Sequence, residues 1–172
     1  MTVSREVLQR LKKRADTIRK ETPMFVLIWG PGPRSANTPA YQKRIRIRET
    51  LEDLVGKGKA ILSEELSSKD MDLLTFEYIQ AEEADAIIVI PESPGPIAES
   101  ALFRRLIKEK GLIFVSPQNQ GFVGEIFKDL QFEEIEPDEW ETCERTRRRA
   151  KEFVLRCLVE KREALVSAKR FN

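Results

Sequence analysis

No histidine occurs anywhere in the sequence. That absence removes Ser-His-Asp and Cys-His catalysis, histidine-ligated metals and an imidazole base together. Any chemistry must rest on carboxylates, hydroxyls, tyrosine, lysine or arginine. Cysteine is nearly as scarce, with Cys143 and Cys157 the two present. Their spacing fits no zinc pattern, and one continuous helix would hold them about 21 Å apart, beyond disulfide reach. Both read as buried or inert thiols. No apolar run approaches the roughly 20 residues of a membrane span, and MTVSREVLQRLKK contains no signal-peptide core. The cytoplasm is the expected compartment. A net charge of +1 gives no global argument for nucleic acid or membrane.

What is present describes a globular domain. Charged residues make up 34% and apolar residues 41% of 172 positions, which fits one domain, 1–172, with a sizeable core under a charged surface. Three parts are expected: an N-terminal amphipathic helix (1–20), an α/β core (24–136) and a long C-terminal helix (137–168). MFVLIW, AIL, AIIVI and LIFV read as strands, with a weaker one near Phe132–Ile135. Helical periodicity falls between them, over 41–55, 70–83 and 96–110, with a short helix near 123–130. Fully apolar strands alternating with helices indicate a parallel sheet covered on both faces. The fold class expected is therefore a doubly wound, flavodoxin- or Rossmann-like sheet of four to five strands, ordered 2-1-3-4-5.

In such a sheet the ligand crevice lies beyond the carboxyl ends of the strands, where strand order reverses. The loops there are GPGPRSAN (30–37) and PESPGPIAE (91–99), the two stretches richest in proline and glycine. Pro96 suits the first turn of a helix. Gly95 allows close approach of a ligand to the backbone, and the first-turn amides would face the crevice. Glu99 falls within the first two turns, where the helix dipole favours its ionised form. A nucleophile or charge stabiliser is then expected rather than a general acid. Such a group suits N-glycosidic cleavage, whose transition state resembles an oxocarbenium ion. The plain alternative is a helix start with a favourable acid near it. In the other loop, Gly30 and Gly32 permit close approach, and Arg34, Ser35 and Asn37 suit phosphate or ribose, or simply form a turn. Ser116, Gln118 and Asn119 follow the fourth strand and reach either a ligand or the surface. The basic stretches QKRIRIRE and CERTRRRAKEF read as solvated helix faces.

The stretch ADAIIVIPESPGPIAESALF resembles the signature of nucleoside 2-deoxyribosyltransferase-like proteins and their SLOG and TIR nucleotide-processing relatives. At Pro91, Gly95 and Glu99 it is also similar to the PGGxGTxxE motif of cytokinin-activating phosphoribohydrolases. Its wording looks closest to bacterial anti-phage effectors, including those associated with retrons. The resemblance implies that Glu99 is the catalytic carboxylate and that Gly95 meets sugar or phosphate. It further implies that Trp29 stacks on a base and that Glu77 or Asp72 assists. Where deoxyribosyltransferases carry aspartate this chain has Ser93, with Glu92 beside it. Pro96 replaces their hydroxyl residue. Both departures weigh against base exchange and leave hydrolysis, or binding alone as in a SLOG-type sensor. The substrate implied is a nucleotide or an NAD-like molecule, with no cofactor and no metal.

The apolar stripes Val7, Leu11, Ala15 and Ala150, Phe153, Val154, Cys157 exceed what five strands need to have covered. A homodimer, higher oligomer or protein partner is expected. A defence effector would also be held silent by a protein or nucleic-acid inhibitor.

Overall fold

The computed structural model describes residues 5–56, 58–66, 70–116, 127–135 and 143–169. Five strands form a single parallel sheet in the order β2-β1-β3-β4-β5. They are β1 (Phe25–Trp29), β2 (Lys59–Leu62), β3 (Ala86–Val89), β4 (Gly111–Val115) and β5 (Phe132–Glu134). Six α-helices are described: α1 (Arg5–Glu21), α2 (Pro39–Glu52), α3 (Leu73–Glu83), α4 (Pro94–Leu102), α5 (Arg104–Lys110) and α6 (Glu144–Ala168). The fold class and strand order match the sequence expectation. Order reverses between β1 and β3, so the crevice lies over their carboxyl ends.

Alternation along each strand divides the core into two layers. Val26, Ile28, Ile88 and Phe114 face Ile47 and Leu51 of α2 and Ala150, Phe153 and Val154 of α6. Leu27, Trp29, Ile87 and Val89 face Ala81 of α3, with Phe103 and Ile107 beside it. The central strands are sealed on both sides, which is why their sequences carry no polar alternation.

Four local features depart from the sequence reading. The helix expected over 96–110 is two helices, broken at Phe103 (φ −101°, ψ 23°). Phe103 is buried with its ring 5.6 Å from that of Trp29 and 5.9 Å from that of Tyr78. The first of the two starts at Pro94 rather than Pro96. QKRIRIRE is not a solvated face, because Lys43 and Arg44 are fully buried. Finally, Ala150, Phe153, Val154 and Cys157 belong to the core, so that stripe is not spare surface. Helix α1 does differ, having no buried residue and leaving Leu8 and Leu11 exposed. The expected start of the last helix at Pro137 and the first half (123–126) of the helix expected near 123–130 lie outside the described residues.

Both thiols are free and buried. Burial, aided by the Glu160 charge, pushes the Cys157 thiol up to about 11, which keeps it protonated and inert at neutral pH.

Arg44 ties these parts together from the middle of α2. Its guanidinium donates to the Ile28 carbonyl (2.6 Å from Nη2) and to that of Pro31 (3.0 Å from Nη1). It also forms a two-pronged ion pair with Glu64, at 2.8 and 2.6 Å. Its stem fills the space a side chain on Gly30 would need, since a Cβ there would lie 2.9 Å from Arg44 Cδ. Arg44→Ala leaves two carbonyls and a carboxylate short of their donor, together with a cavity. An urea unfolding series should show a loss of about 3–5 kcal/mol. A loss below about 1 kcal/mol would mean that the pair is replaceable.

Candidate functional site

The loop after β3 is shaped by its prolines. Ser93 is the N-cap of α4 in an extended conformation, with no side-chain capping bond. A capping hydroxyl bonds the N–H of the second or third helical residue; Pro96 removes the third, which leaves Gly95 N–H as the one amide Ser93 could cap. Pro94 and Pro96 also strip the first turn of donors. Of the amides expected to face the crevice, only Gly95 keeps an N–H there before that of Ile97, which bonds Ser93 O at 3.4 Å. The Ser93 hydroxyl and Gly95 N–H are thus the polar groups at the mouth of the helix.

Glu99 sits one turn further on. Helical side chains lean toward the N-terminus, so its carboxylate folds back over the first turn. A Cβ on Gly95 would be 3.6 Å from Glu99 Oε1. Gly95 is exposed and Glu99 half-buried, so the glycine leaves the carboxylate open from one side. Burial, reinforced by the Glu77 and Glu64 charges and opposed by Arg44, pushes Glu99 up to about 7. This corrects the expectation that the helix dipole keeps it firmly ionised. Two of the three first-turn amides that would express the dipole are missing their hydrogens, and desolvation outweighs the rest.

The structure separates the two candidate assisting acids. Asp72 is exposed and caps α3, its Oδ1 accepting from Thr75 N at 2.9 Å. That bond holds its carboxyl below the usual range. Glu77, on the inward side of α3, is raised by burial and acts electrostatically on Glu99. The site is therefore a group of three carboxylates, Glu99, Glu77 and Glu64, with Arg44 as the countercharge. Among the described residues no cluster of carboxylates or thiols is arranged to hold a metal.

Other expected residues divide by position. Trp29 is fully buried against Phe103, so its ring packs the core and is closed to stacking on a ligand. Glu92 accepts from Ser116 N at 3.3 Å, tying the loop after β3 to the end of β4. Gly32 has open space where a Cβ would point. Arg34 is exposed on the short 3-10 turn Pro33–Ser35, and Ser35 N bonds Gly32 O at 2.9 Å. Gln118 and Asn119 lie outside the described residues. Sequence reasoning missed Arg44 and Glu64. The signal for Arg44 was its place on the Ala40, Lys43, Ile47, Leu51 stripe at helical spacing.

Glu99 gives a stability prediction with a definite sign. Its folded pKa lies above the ordinary 4.5, so the native state holds a proton that the unfolded state releases between those values. Stability is lost as pH rises from about 4.5 to about 7. Glu99→Gln removes that penalty. In urea titrations the variant should exceed the parent by about 1–2 kcal/mol at pH 8, allowing for partial solvent screening, and match it near pH 4. A variant less stable than the parent at pH 8 would contradict the assignment.

Comparison with known proteins adds one similarity. No curated protein matches the chain. Residues 37–119, the span that contains Arg44, Glu64, Glu77 and Glu99, match the family model described as STM3845 retron effector protein.

Proposed function

We propose that the protein is a retron effector in anti-phage defence, and that it cleaves the base–sugar bond of a nucleotide or NAD-like substrate. The observation that carries this reading is Glu99: a desolvated carboxylate over the switch point of a parallel sheet, open past Gly95 and backed by Glu77. Near pH 7 about half of such groups are ionised, a workable population for a nucleophile.

In the reaction, a Glu99 oxygen attacks or screens the anomeric carbon as the C–N bond breaks. The bonding pair leaves with the base, which takes up a proton when it is a purine or pyrimidine and none when it is a pyridinium as in NAD. Water then attacks the anomeric carbon, gives up a proton and releases the sugar, and any Glu99 oxygen bonded there leaves as carboxylate. Arg44 holds Glu64 and lowers Glu99, limiting how far the like charges raise it. Glu77, itself raised by burial, is suited to exchange a proton with the departing base. In this reading the Ser93 hydroxyl and Gly95 N–H meet the sugar or its phosphate. No cofactor is needed. The exposed Leu8 and Leu11 of α1 support a second copy or a partner protein, as an effector under restraint requires. Among the described residues no helix is long and apolar enough to cross a membrane.

A second reading, a SLOG-type module that binds a nucleotide without turnover, is favoured by one observation. Pro94 and Pro96 leave the helix mouth with fewer donors than a glycosidase needs to hold its substrate tightly oriented. One assay separates the two: incubation with ribo- and deoxyribonucleotides and NAD, followed by chromatography for free base. The glycosidase reading expects base release that rises with pH through about 7, and falls at least about a hundredfold in Glu99→Gln. Unchanged release in the variant contradicts the role of Glu99, and tight binding without product selects the sensor.

A further inference from the structure

Beside the carboxylate group lies a cavity of about 340 Å³ between the 63–66 segment and α3, within the range of small-molecule sites. Its walls include Leu66, Met71, Leu73 and Phe76, and its polar lining includes Glu77 and Gln80. Gln80 is only 4% exposed. Its Nε2 donates to the Leu66 carbonyl at 3.5 Å, the outer limit of a hydrogen bond. Its Oε1 has no hydrogen-bond partner among the described residues. An unsatisfied buried acceptor is costly, and this one belongs to a side chain on the wall of a cavity. The final torsion of glutamine is broad, so the carboxamide can turn toward the cavity at little cost.

From this arrangement we infer that the cavity seats the base of the substrate, with Gln80 Oε1 accepting from an amine or amide N–H on the ring. The inference rests on the glycosidase reading for its substrate class and adds the place and polarity of base recognition. Phe76 and Met71 supply the apolar and polarizable surfaces that a flat heteroaromatic ring packs against. Glu77 borders both this cavity and the electrostatic field of Glu99. Glu64 lines the cavity as well and also acts electrostatically on Glu99, so the proposal sets the glycosidic bond on the side of the cavity where these two carboxylates lie. Leu73 is 72% exposed and Met71 40%, and a seated base would cover part of that surface.

The test uses the full chain carrying Glu99→Gln, so that bound nucleotide is not consumed, with and without Gln80→Leu. Calorimetric titration with AMP, GMP, CMP, UMP and NAD is the readout, together with melting temperature. At least one of these should bind, and Gln80→Leu should weaken it about tenfold or more. Its melting temperature should be nearly unchanged, because loss of the 3.5 Å bond to the Leu66 carbonyl is offset by removal of an acceptor without a partner among the described residues. Equal binding with and without Gln80, or no binding by any of the five, overturns the inference. A melting temperature that falls while affinity stays the same also overturns it, and assigns Gln80 a structural role. Failure of the glycosidase reading stays distinguishable. Gln80-dependent binding, in a chain whose parent releases no base, upholds the cavity and rejects cleavage.

Discussion

A fully buried guanidinium organises the end of the sheet that carries the candidate site. Arg44 reaches from α2 across the carboxyl end of β1 and takes two carbonyls there as well as both oxygens of Glu64. A desolvated cation is tolerable only when each of its donors is matched, because the cost of removing it from water is several kcal/mol. The matching fixes three segments at once: the exit of β1, the turn after β2 and the middle of α2. Gly30 has no side chain because the Arg44 stem already occupies that space. The loop that looked built for a ligand is first of all built around an arginine.

That cation also sets the electrostatics of its neighbours. Burial resists the ionisation of Glu99 and Glu77 near the strand ends, and the Arg44 charge offsets part of the effect on Glu99. The balance leaves Glu99 about 7, neither locked as an anion nor held as a neutral acid. The prolines of PESPGP contribute from the other side. By deleting first-turn amides they remove donors that would have pulled the carboxyl down. They also remove one of the two amides that a Ser93 cap could use, and Ser93 makes no side-chain capping bond. A stiff turn and a tuned carboxylate are thus one device rather than two competing explanations.

Much of the fold was legible because buried parallel strands announce themselves. FVLIW, AIIV and GLIFV can only lie between two covering layers, and the helical stretches between them then impose strand order. The position of Glu99 and Gly95 beyond the strand ends was legible for the same reason, since the topology says which loops meet. What the sequence concealed depends on distant partners. Arg44 looks like one more charge in KRIRIR until Glu64, twenty residues on, shows where its charge is matched. Trp29 looks like a stacking platform until Phe103 is seen to break its helix and cover the ring. The spare stripe on the last helix was an illusion of counting, because α6 itself is one of the layers that the sheet requires. The helix dipole does not hold Glu99 ionised, because the two prolines of the first turn lack the amide hydrogens that express it.

The proposed chemistry turns on the ionisation of one side chain, and that can be observed directly. Carbon-13 NMR of the glutamate carboxyls, assigned through Glu99→Gln, should show Glu99 titrating near 7, with a lower midpoint in Glu77→Gln. A Glu99 midpoint near the ordinary 4.5, unmoved when Glu77 is neutralised, would contradict it.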